Sequence, residues 1–187
     1  MRPVFLLFMY AINSIILTSN TTHFFLCRYN SLCRCKTAGR FLHIDCSFRE
    51  ISRIPHFPRN TRTLNLSSNY ITSIEKNTFD GLKHLTMLDL TSNKVGQMKT
   101  EPLAFNGLEN LRILFLANNS LSYNDLPKEL FSPLKSLVQL NLKFNTLPGN
   151  IAIGRIMTPL LNLESLQIDI SNQSGYLFDR QISSLTN

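Results

Sequence analysis

The sequence predicts an α/β repeat fold in which short parallel strands stack into a solenoid, and three observations support this prediction. A nine-residue pattern recurs as TRTLNLSSN at 61–69, LTMLDLTSN at 85–93, LRILFLANN at 111–119 and LVQLNLKFN at 137–145, with a looser copy, LESLQIDIS, from Leu163. The copies begin 24, 26, 26 and 26 residues apart. Within each copy, apolar and polar residues alternate, which is typical of a strand with one buried face.

This period and leucine spacing are those of leucine-rich repeats. In such a solenoid, parallel strands line the concave face and irregular or 3-10 segments form the convex side. We therefore predict strands near 63–66, 87–90, 113–116, 139–142 and 165–168. Residues 61–187 would hold about five repeats, and the core would be a stacked column rather than a globule.

The first four copies end in an asparagine, and these residues are Asn69, Asn93, Asn119 and Asn145. Because an asparagine side chain can bond backbone groups in a turn, we expect this ladder to tie each turn to its neighbours. The fifth copy reads IDIS at 168–171, so the ladder should weaken there.

Other apolar residues recur six and three residues before the next copy begins. We expect both sets to point inward and to form the far wall of the column. They are Phe79, Phe105, Phe131, Met157 and Ile182, and Leu82, Leu108, Leu134, Leu160 and Leu185.

Residues 1–20 resemble a secretory signal peptide, because Arg2 precedes an apolar run at 4–17 that ends in polar residues. A retained signal anchor is the alternative. The run is short and is interrupted by Asn13 and Ser14, and no apolar run of membrane-spanning length follows it. We therefore expect no membrane span in this chain.

Four cysteines precede the repeats, in a segment at 23–60 that we interpret as an N-terminal cap. They are Cys27, Cys33, Cys35 and Cys46. An even number of cysteines after a signal peptide indicates two disulfides in an oxidising compartment, but spacing alone does not choose among three pairings. A zinc site formed by the last three cysteines and His43 is the rival interpretation, although its spacing fits no common finger. We expect no metal and no cofactor.

The stretch from Cys46 to the first repeat resembles the N-terminal cap of extracellular leucine-rich-repeat proteins. The matching features are the last cysteine, Ile51, the Ile54-Pro55 pair and Phe57-Pro58. In that family the first cysteine pairs with the third and the second with the fourth. The resemblance therefore implies the disulfides Cys27–Cys35 and Cys33–Cys46.

With its leader, cap and uneven repeats, the chain resembles the N-terminal ectodomain of a Toll-like receptor over residues 27–187. Such receptors sense microbial products through the solenoid, dimerise and signal through a cytoplasmic TIR domain. The resemblance implies a protein or microbial ligand and a homo- or heterodimer with another leucine-rich-repeat receptor. The chain would be secreted, or would lie at the cell surface or in the endosomal lumen as part of a longer membrane receptor. A secreted matrix protein similar to the small leucine-rich proteoglycans, or a Slit-type adhesion protein, is the alternative.

The repeats continue to Asn187 without a second cysteine cap. An uncapped solenoid exposes its last apolar layer. The sequence therefore predicts a piece of a longer protein, whose last unit frays, self-associates or needs a covering partner.

The strand positions between the buried leucines should face the concave side, and Ala117 is assigned to the same face. Several of these positions, such as Val138 and Phe144, are apolar where water is expected, which can mark a partner site or be ordinary scattered exposure. The candidate ligand-binding residues are Met87, Asp89, Arg112, Ile113, Phe115, Gln139, Asn141 and Lys143.

The formal charge of +7 becomes +6 without Arg2, and eight basic residues lie between Arg28 and Arg62 against only Asp45 and Glu50. Such a patch can attract phosphates, sulfated sugars or anionic lipid, or can serve only solubility. No module combining basic and aromatic residues points to nucleic acid.

No catalytic residue is predicted, because the chain has no GxSxG or HExxH motif and its histidines occur singly. We therefore expect a protein that is not an enzyme. The candidate glycosylation sites are Asn20, Asn65, Asn118 and Asn172, each in an Asn-x-Ser/Thr sequon. A glycan at Asn65 would lie on the concave face.

Overall fold

The computed structural model describes residues 25–27, 30–97, 100–122, 126–147, 154 and 156–169. In this part of the chain, eight strands form one sheet in chain order. The strands are β1 (Phe25–Cys27), β2 (Asn30–Ala38), β3 (Phe41–Asp45), β4 (Thr61–Asn65), β5 (Met87–Asp89), β6 (Ile113–Phe115), β7 (Gln139–Asn141) and β8 (Ser165–Gln167). Strands β3 to β8 run parallel. The predicted solenoid is confirmed, and its repeat strands lie within two residues of the predicted positions.

The repeat strands pair in register, so equivalent residues of successive repeats stand side by side. Leu64, Leu88, Leu114 and Leu140 form one such row and are completely buried. Because side chains alternate along a strand, the residues on either side of each leucine face outward onto the concave surface.

The far wall of the core is built by the predicted phenylalanines and leucines. Phe105 stacks between Phe79 and Phe131, with ring centroids 6.1 and 6.2 Å apart. Met157 and the leucines at 82, 108, 134 and 160 are also buried. Two further predicted core residues, Ile182 and Leu185, lie outside the described residues.

The asparagine at the end of each repeat bonds the backbone of its own coil and of the coil before it. The side-chain amide nitrogen of Asn93 donates to the carbonyls of Leu66 and Leu90, at 2.9 and 3.0 Å. Its side-chain oxygen accepts a hydrogen bond from the Ile71 backbone N–H at 3.0 Å. Asn69, Asn119 and Asn145 bond in the same way.

The ladder of backbone bonds beside these asparagines changes at the fifth copy. Residues 68, 92 and 118 each donate a backbone N–H to a carbonyl of the next repeat. The equivalent Phe144 N–H donates instead to the side-chain carboxylate of Asp169. Residues 170 and 171, on which the expected weakening of the ladder also depends, lie outside the described residues.

The cap continues the sheet with antiparallel strands. Strands β2 and β3 form a hairpin that turns at Gly39, whose φ of 58° is favourable for glycine. Cys27 bonds Cys35 and Cys33 bonds Cys46, so the implied pairing is confirmed and the sulfurs are not available to zinc. Because β3 pairs with β4, the cap covers the first leucine layer of the solenoid.

Two neighbouring turns approach closely at Gly96, in the 3-10 segment Val95–Gln97. A β-carbon placed on Gly96 would lie 2.1 Å from the Ser120 carbonyl oxygen. This position therefore requires glycine, because no side-chain atom fits between the two backbones.

The leader at 1–20 and the sequons Asn20 and Asn172 lie outside the described residues. Among the residues that are described, no helix is long and apolar enough to cross a bilayer.

Replacing Thr100 with valine should raise the free energy of unfolding by about 1 kcal/mol. Thr100 takes the place that Ile74 and Leu126 hold in other repeats, and it is only 1 % exposed. Within the described structure its buried hydroxyl has no hydrogen-bond partner. Urea denaturation followed by circular dichroism would measure the change.

Thr61 provides the matched control, because it is equally buried but donates its hydroxyl to the Pro58 carbonyl at 2.6 Å. Thr61→Val should therefore destabilise the protein. If both valine variants shifted the unfolding midpoint in the same direction, the hydroxyl of Thr100 would not be the cause.

Candidate binding face

The sheet brings six of the eight candidate residues into one patch on β5, β6 and β7. Met87, Ile113 and Gln139 form one directly paired row. Asp89, Phe115 and Asn141 form a second row two residues further along the strands. All six are half-buried, and adjacent strands lie about 4.8 Å apart. The patch is therefore a continuous surface across three adjacent strands.

The other two candidates lie at opposite ends of these strands. Arg112 immediately precedes β6 and its backbone N–H donates to the Thr86 carbonyl at 2.9 Å. Lys143 follows β7, and both cationic side chains are exposed. The apolar middle of the patch thus has one cation at each border. We name this surface, made of all eight candidates, the concave patch.

Two residues predicted to face the concave side near this patch have different surroundings. Phe144 is 71 % exposed, whereas Ala117 is only 5 % exposed, so the prediction that Ala117 faces the concave side is wrong. Ala117 lies in the turn after β6, where its carbonyl accepts bonds from Ser92 and Asn119. Its short side chain does not reach out of this turn.

Asp89 and Asn141 also have a structural role that the sequence analysis did not recognise. The Asp89 side chain accepts a hydrogen bond from the Thr91 N–H at 2.8 Å, and Asn141 accepts one from the Lys143 N–H at 3.0 Å. Asp45 and Asn65 make the same bond two residues along the chain. These local bonds shape the turn after each strand. The sequence signal that could have indicated this structural role is an Asp or Asn between the two leucines of a strand.

In β6, Phe115 occupies the position that an Asp or Asn holds in the neighbouring strands. It pairs with Asp89 on one side and Asn141 on the other. An aromatic ring is large, apolar and limited in rotamers, which suits contact with a partner. Phe115 therefore gives the concave patch its apolar centre together with Ile113 and Met87.

The two described sequons have different surroundings. Asn65 is half-buried in β4, where its side-chain oxygen is held by the Ser67 N–H at 2.9 Å. Asn118 is exposed and its side-chain nitrogen donates to the Ser92 hydroxyl at 3.2 Å. Of these two positions, Asn118 is the more accessible to a glycosylating enzyme.

Other surface features lie away from the concave patch. A cavity of about 360 Å³ opens among the turns that follow the first strands, lined by Phe48, Glu50, Ser68, Asn69, Tyr70 and Ser92. Over the described ranges, no three His, Cys, Asp or Glu side chains are placed to hold a metal ion.

Comparison with known proteins agrees with this architecture. The Leucine rich repeat family model matches residues 55–95 and 99–147. Fold and repeats together define a leucine-rich-repeat solenoid, which is a protein-interaction scaffold.

Three individual proteins are similar over parts of their length. Leucine-rich repeat-containing protein 3 of Danio rerio is 38% identical over 64 residues, which are 34% of this chain and 24% of that protein. The crystal structure of human 5T4 (Wnt-activated inhibitory factor 1, trophoblast glycoprotein) matches this chain with a TM-score of 0.67 at 26% identity. The match covers 85% of this chain and 60% of the 5T4 chain. TLR13, in its complex with ssRNA13, matches with a TM-score of 0.54 at 27% identity. This match covers 69% of this chain and 22% of the TLR13 chain. The chain thus spans less than two thirds of each.

Proposed function

We propose that this chain is the ligand-recognition part of a Toll-like pattern-recognition receptor and binds through the concave patch. The observation that carries the proposal is the in-register cluster of Met87, Ile113 and Phe115 on an open sheet. An apolar centre with a polar, charged border is the usual anatomy of a protein interface. The similarity to TLR13, together with the capped and uneven repeats, supports the receptor class.

The proposal includes the setting in which the chain works. Two disulfides in the cap suit a secreted or luminal location, because thiols stay reduced in the cytosol. The proposed layout is a leader at 1–20, a cap at 23–60 and repeats over 61–187. The ligand would be a protein or a microbial product, and a second leucine-rich-repeat receptor would complete a dimer. Asn118 and Asn65 are the described glycosylation candidates.

The likeness to 5T4 favours a second candidate, a cell-surface or secreted glycoprotein without microbial recognition. Its TM-score of 0.67 exceeds the 0.54 of TLR13. Reading the transcript beyond Asn187 distinguishes the two. A coding sequence for a TIR domain supports the receptor, and a coding sequence that ends without a TIR domain supports the alternative.

Replacing Ile113 with arginine tests the concave patch, because it places a charge in the apolar centre. Binding of the purified chain to washed bacterial cells, and to a second copy of itself, would be measured by biolayer interferometry. We expect the affinity of the Ile113→Arg variant for the bacterial cells, or for the second copy, to fall at least tenfold. Leu161→Arg is the matched control, since Leu161 is 80 % exposed outside the strands. Equal binding by the wild type and the Ile113 variant would reject the patch.

A further inference from the structure

A cluster of cations lies at the cap end of the sheet, around Phe41. The guanidinium carbons of Arg40 and Arg62 lie 5.0 and 4.9 Å from the centroid of the Phe41 ring. The two charges are therefore no further apart than the Debye length at moderate ionic strength, about 10 Å. His84 contacts the same ring edge-on, at 5.3 Å. Cation–π contacts thus hold two like charges close together.

Lys36 adds a third positive charge from strand β2. It pairs with His43 of β3, and the Nδ1 atom of His43 lies 2.9 Å from the Thr63 hydroxyl. The pKa of His43 is lowered by partial burial and by the charges of Lys36 and Arg62. The imidazole therefore experiences the positive potential that these cations create.

No carboxylate of the described structure forms an ion pair with Lys36, Arg40 or Arg62. Asp45 faces the same side of β3 as His43, but its carboxylate accepts bonds from the Ser47 N–H and hydroxyl, at 3.0 and 2.7 Å. Like charges held together without a counter-charge repel each other, and an anion from solution relieves this repulsion. We name Lys36, Arg40, His43 and Arg62 the cationic rim.

We propose that the cationic rim binds a sulfated glycosaminoglycan. Guanidinium groups match the oxygen geometry of sulfate with paired N–H donors, and a lysine supplies a mobile point charge. Clusters of Lys and Arg are known signatures of heparin-type surfaces. The three permanent cations come from strands β2 and β4 and the turn between β2 and β3, so the site exists only in the folded cap.

Two observations favour a sulfated glycan over a nucleic acid. The Phe41 ring is contacted by two guanidinium groups and His84, so it offers no free face for base stacking, on which single-strand binding depends. The disulfides also suit a secreted or luminal location, where a sulfated glycan is a polyanion the cap can meet.

The rim also has a direction in which a long anion can extend. Backbone bonds link Arg62 to Thr86 and Thr86 to Arg112, so the two arginines stand two strands apart on the same edge of the sheet. Two strand spacings are about 10 Å. A linear sulfated chain on the rim would therefore run toward the edge of the concave patch.

Binding of a fluorescent heparin octasaccharide to the purified, disulfide-bonded full chain tests the proposal. The variant K36Q/R40Q/R62Q should lose affinity by about tenfold or more, and desulfated octasaccharide should not bind. The control K76Q/K128Q/K135Q removes the same formal charge at exposed positions elsewhere and should bind as the wild type does. Circular dichroism would confirm that each variant is folded.

The ring protons of His43 give a second readout by NMR. A sulfate bound beside the imidazole should raise the pKa of His43 toward its ordinary value, because an anion stabilises the charged form. This measurement uses the wild type. If the triple variant does not fold, the single variant R62Q takes its place in the binding assay and should also bind heparin more weakly than the wild type.

Three results would overturn the proposal: equal losses in the rim and control variants, equal binding of the desulfated sugar, or an unchanged pKa of His43. Tighter binding of a single-stranded RNA of equal charge would assign the rim to nucleic acid instead. The outcome is separable from the proposed receptor function, because Ile113→Arg adds a positive charge and should not weaken heparin binding, whereas it should weaken binding at the concave patch.

Discussion

Replacing Phe105 with alanine should lower the free energy of unfolding by about 3–5 kcal/mol. Phe105 is 1 % exposed and stacks between two other buried rings, nearly parallel to both. Removing it leaves a cavity that neighbouring coils cannot fill, because Phe79 and Phe131 are each fixed in their own repeat. The loss combines the transfer free energy of the ring with the cost of the cavity. Urea denaturation at equilibrium would measure it.

Phe144→Ala is the control for this substitution, because Phe144 is 71 % exposed. Its effect should stay within about 0.5 kcal/mol. Phe105→Leu should fall between the two, since it retains most of the buried volume. If Phe105→Ala lowered the free energy of unfolding by less than Phe105→Leu does, the phenylalanine stack would not support the solenoid.

Replacing Asn69 with alanine should cost about 3–5 kcal/mol, because it leaves several buried backbone groups without partners. The Asn69 side-chain oxygen accepts bonds from the N–H groups of Arg49 and Ile51, at 2.9 and 3.0 Å. Its nitrogen donates to the carbonyls of Cys46 and Leu66, at 2.9 and 2.8 Å. These bonds join the cap to the first repeat. Thermal unfolding followed by circular dichroism would detect the loss.

Asn69→Asp distinguishes hydrogen bonding from packing at this site. Aspartate has almost the same shape, but its carboxylate would face the Cys46 and Leu66 carbonyls with no proton to donate. We expect it to be at least as damaging as alanine. Asn106→Ala, at an exposed position, should have little effect. Wild-type stability in the Asn69→Asp variant would mean that shape alone holds the cap on the first repeat.

The repeat part of the fold was predictable because each position recurs. The strand leucines, the phenylalanine stack and the asparagines all appear several times at one period, so a single physical reason explains each set. The cap strands were not predicted, although Cys33-x-Cys35 and Leu42-x-Ile44-x-Cys46 alternate as strands do. The disulfide pairing came only from family resemblance, because spacing permits three arrangements.

The surface features were predictable only in part, because they depend on contacts that occur once. The in-register placement of Ile113 and Phe115 follows from the repeat. The stacking of Arg40 and Arg62 on one ring does not, since these residues meet only when β3 pairs with β4. The sequence showed that the cap is basic, but not which of its basic side chains lie close together in the folded cap. Likewise, the buried hydroxyl of Thr100 occurs only once, at the position where other repeats place Ile74 and Leu126.

The asparagine bonds between coils have a consequence for how the protein forms. Those made by the side-chain nitrogens join residues 23 to 29 positions apart, whichever coil they belong to. The entropy of closing such a loop is therefore nearly the same at every step and does not grow with the number of coils. Folding can begin at the local β2–β3 hairpin and advance one coil at a time. Since synthesis also proceeds from the N-terminus, each new repeat meets a finished template as it leaves the ribosome.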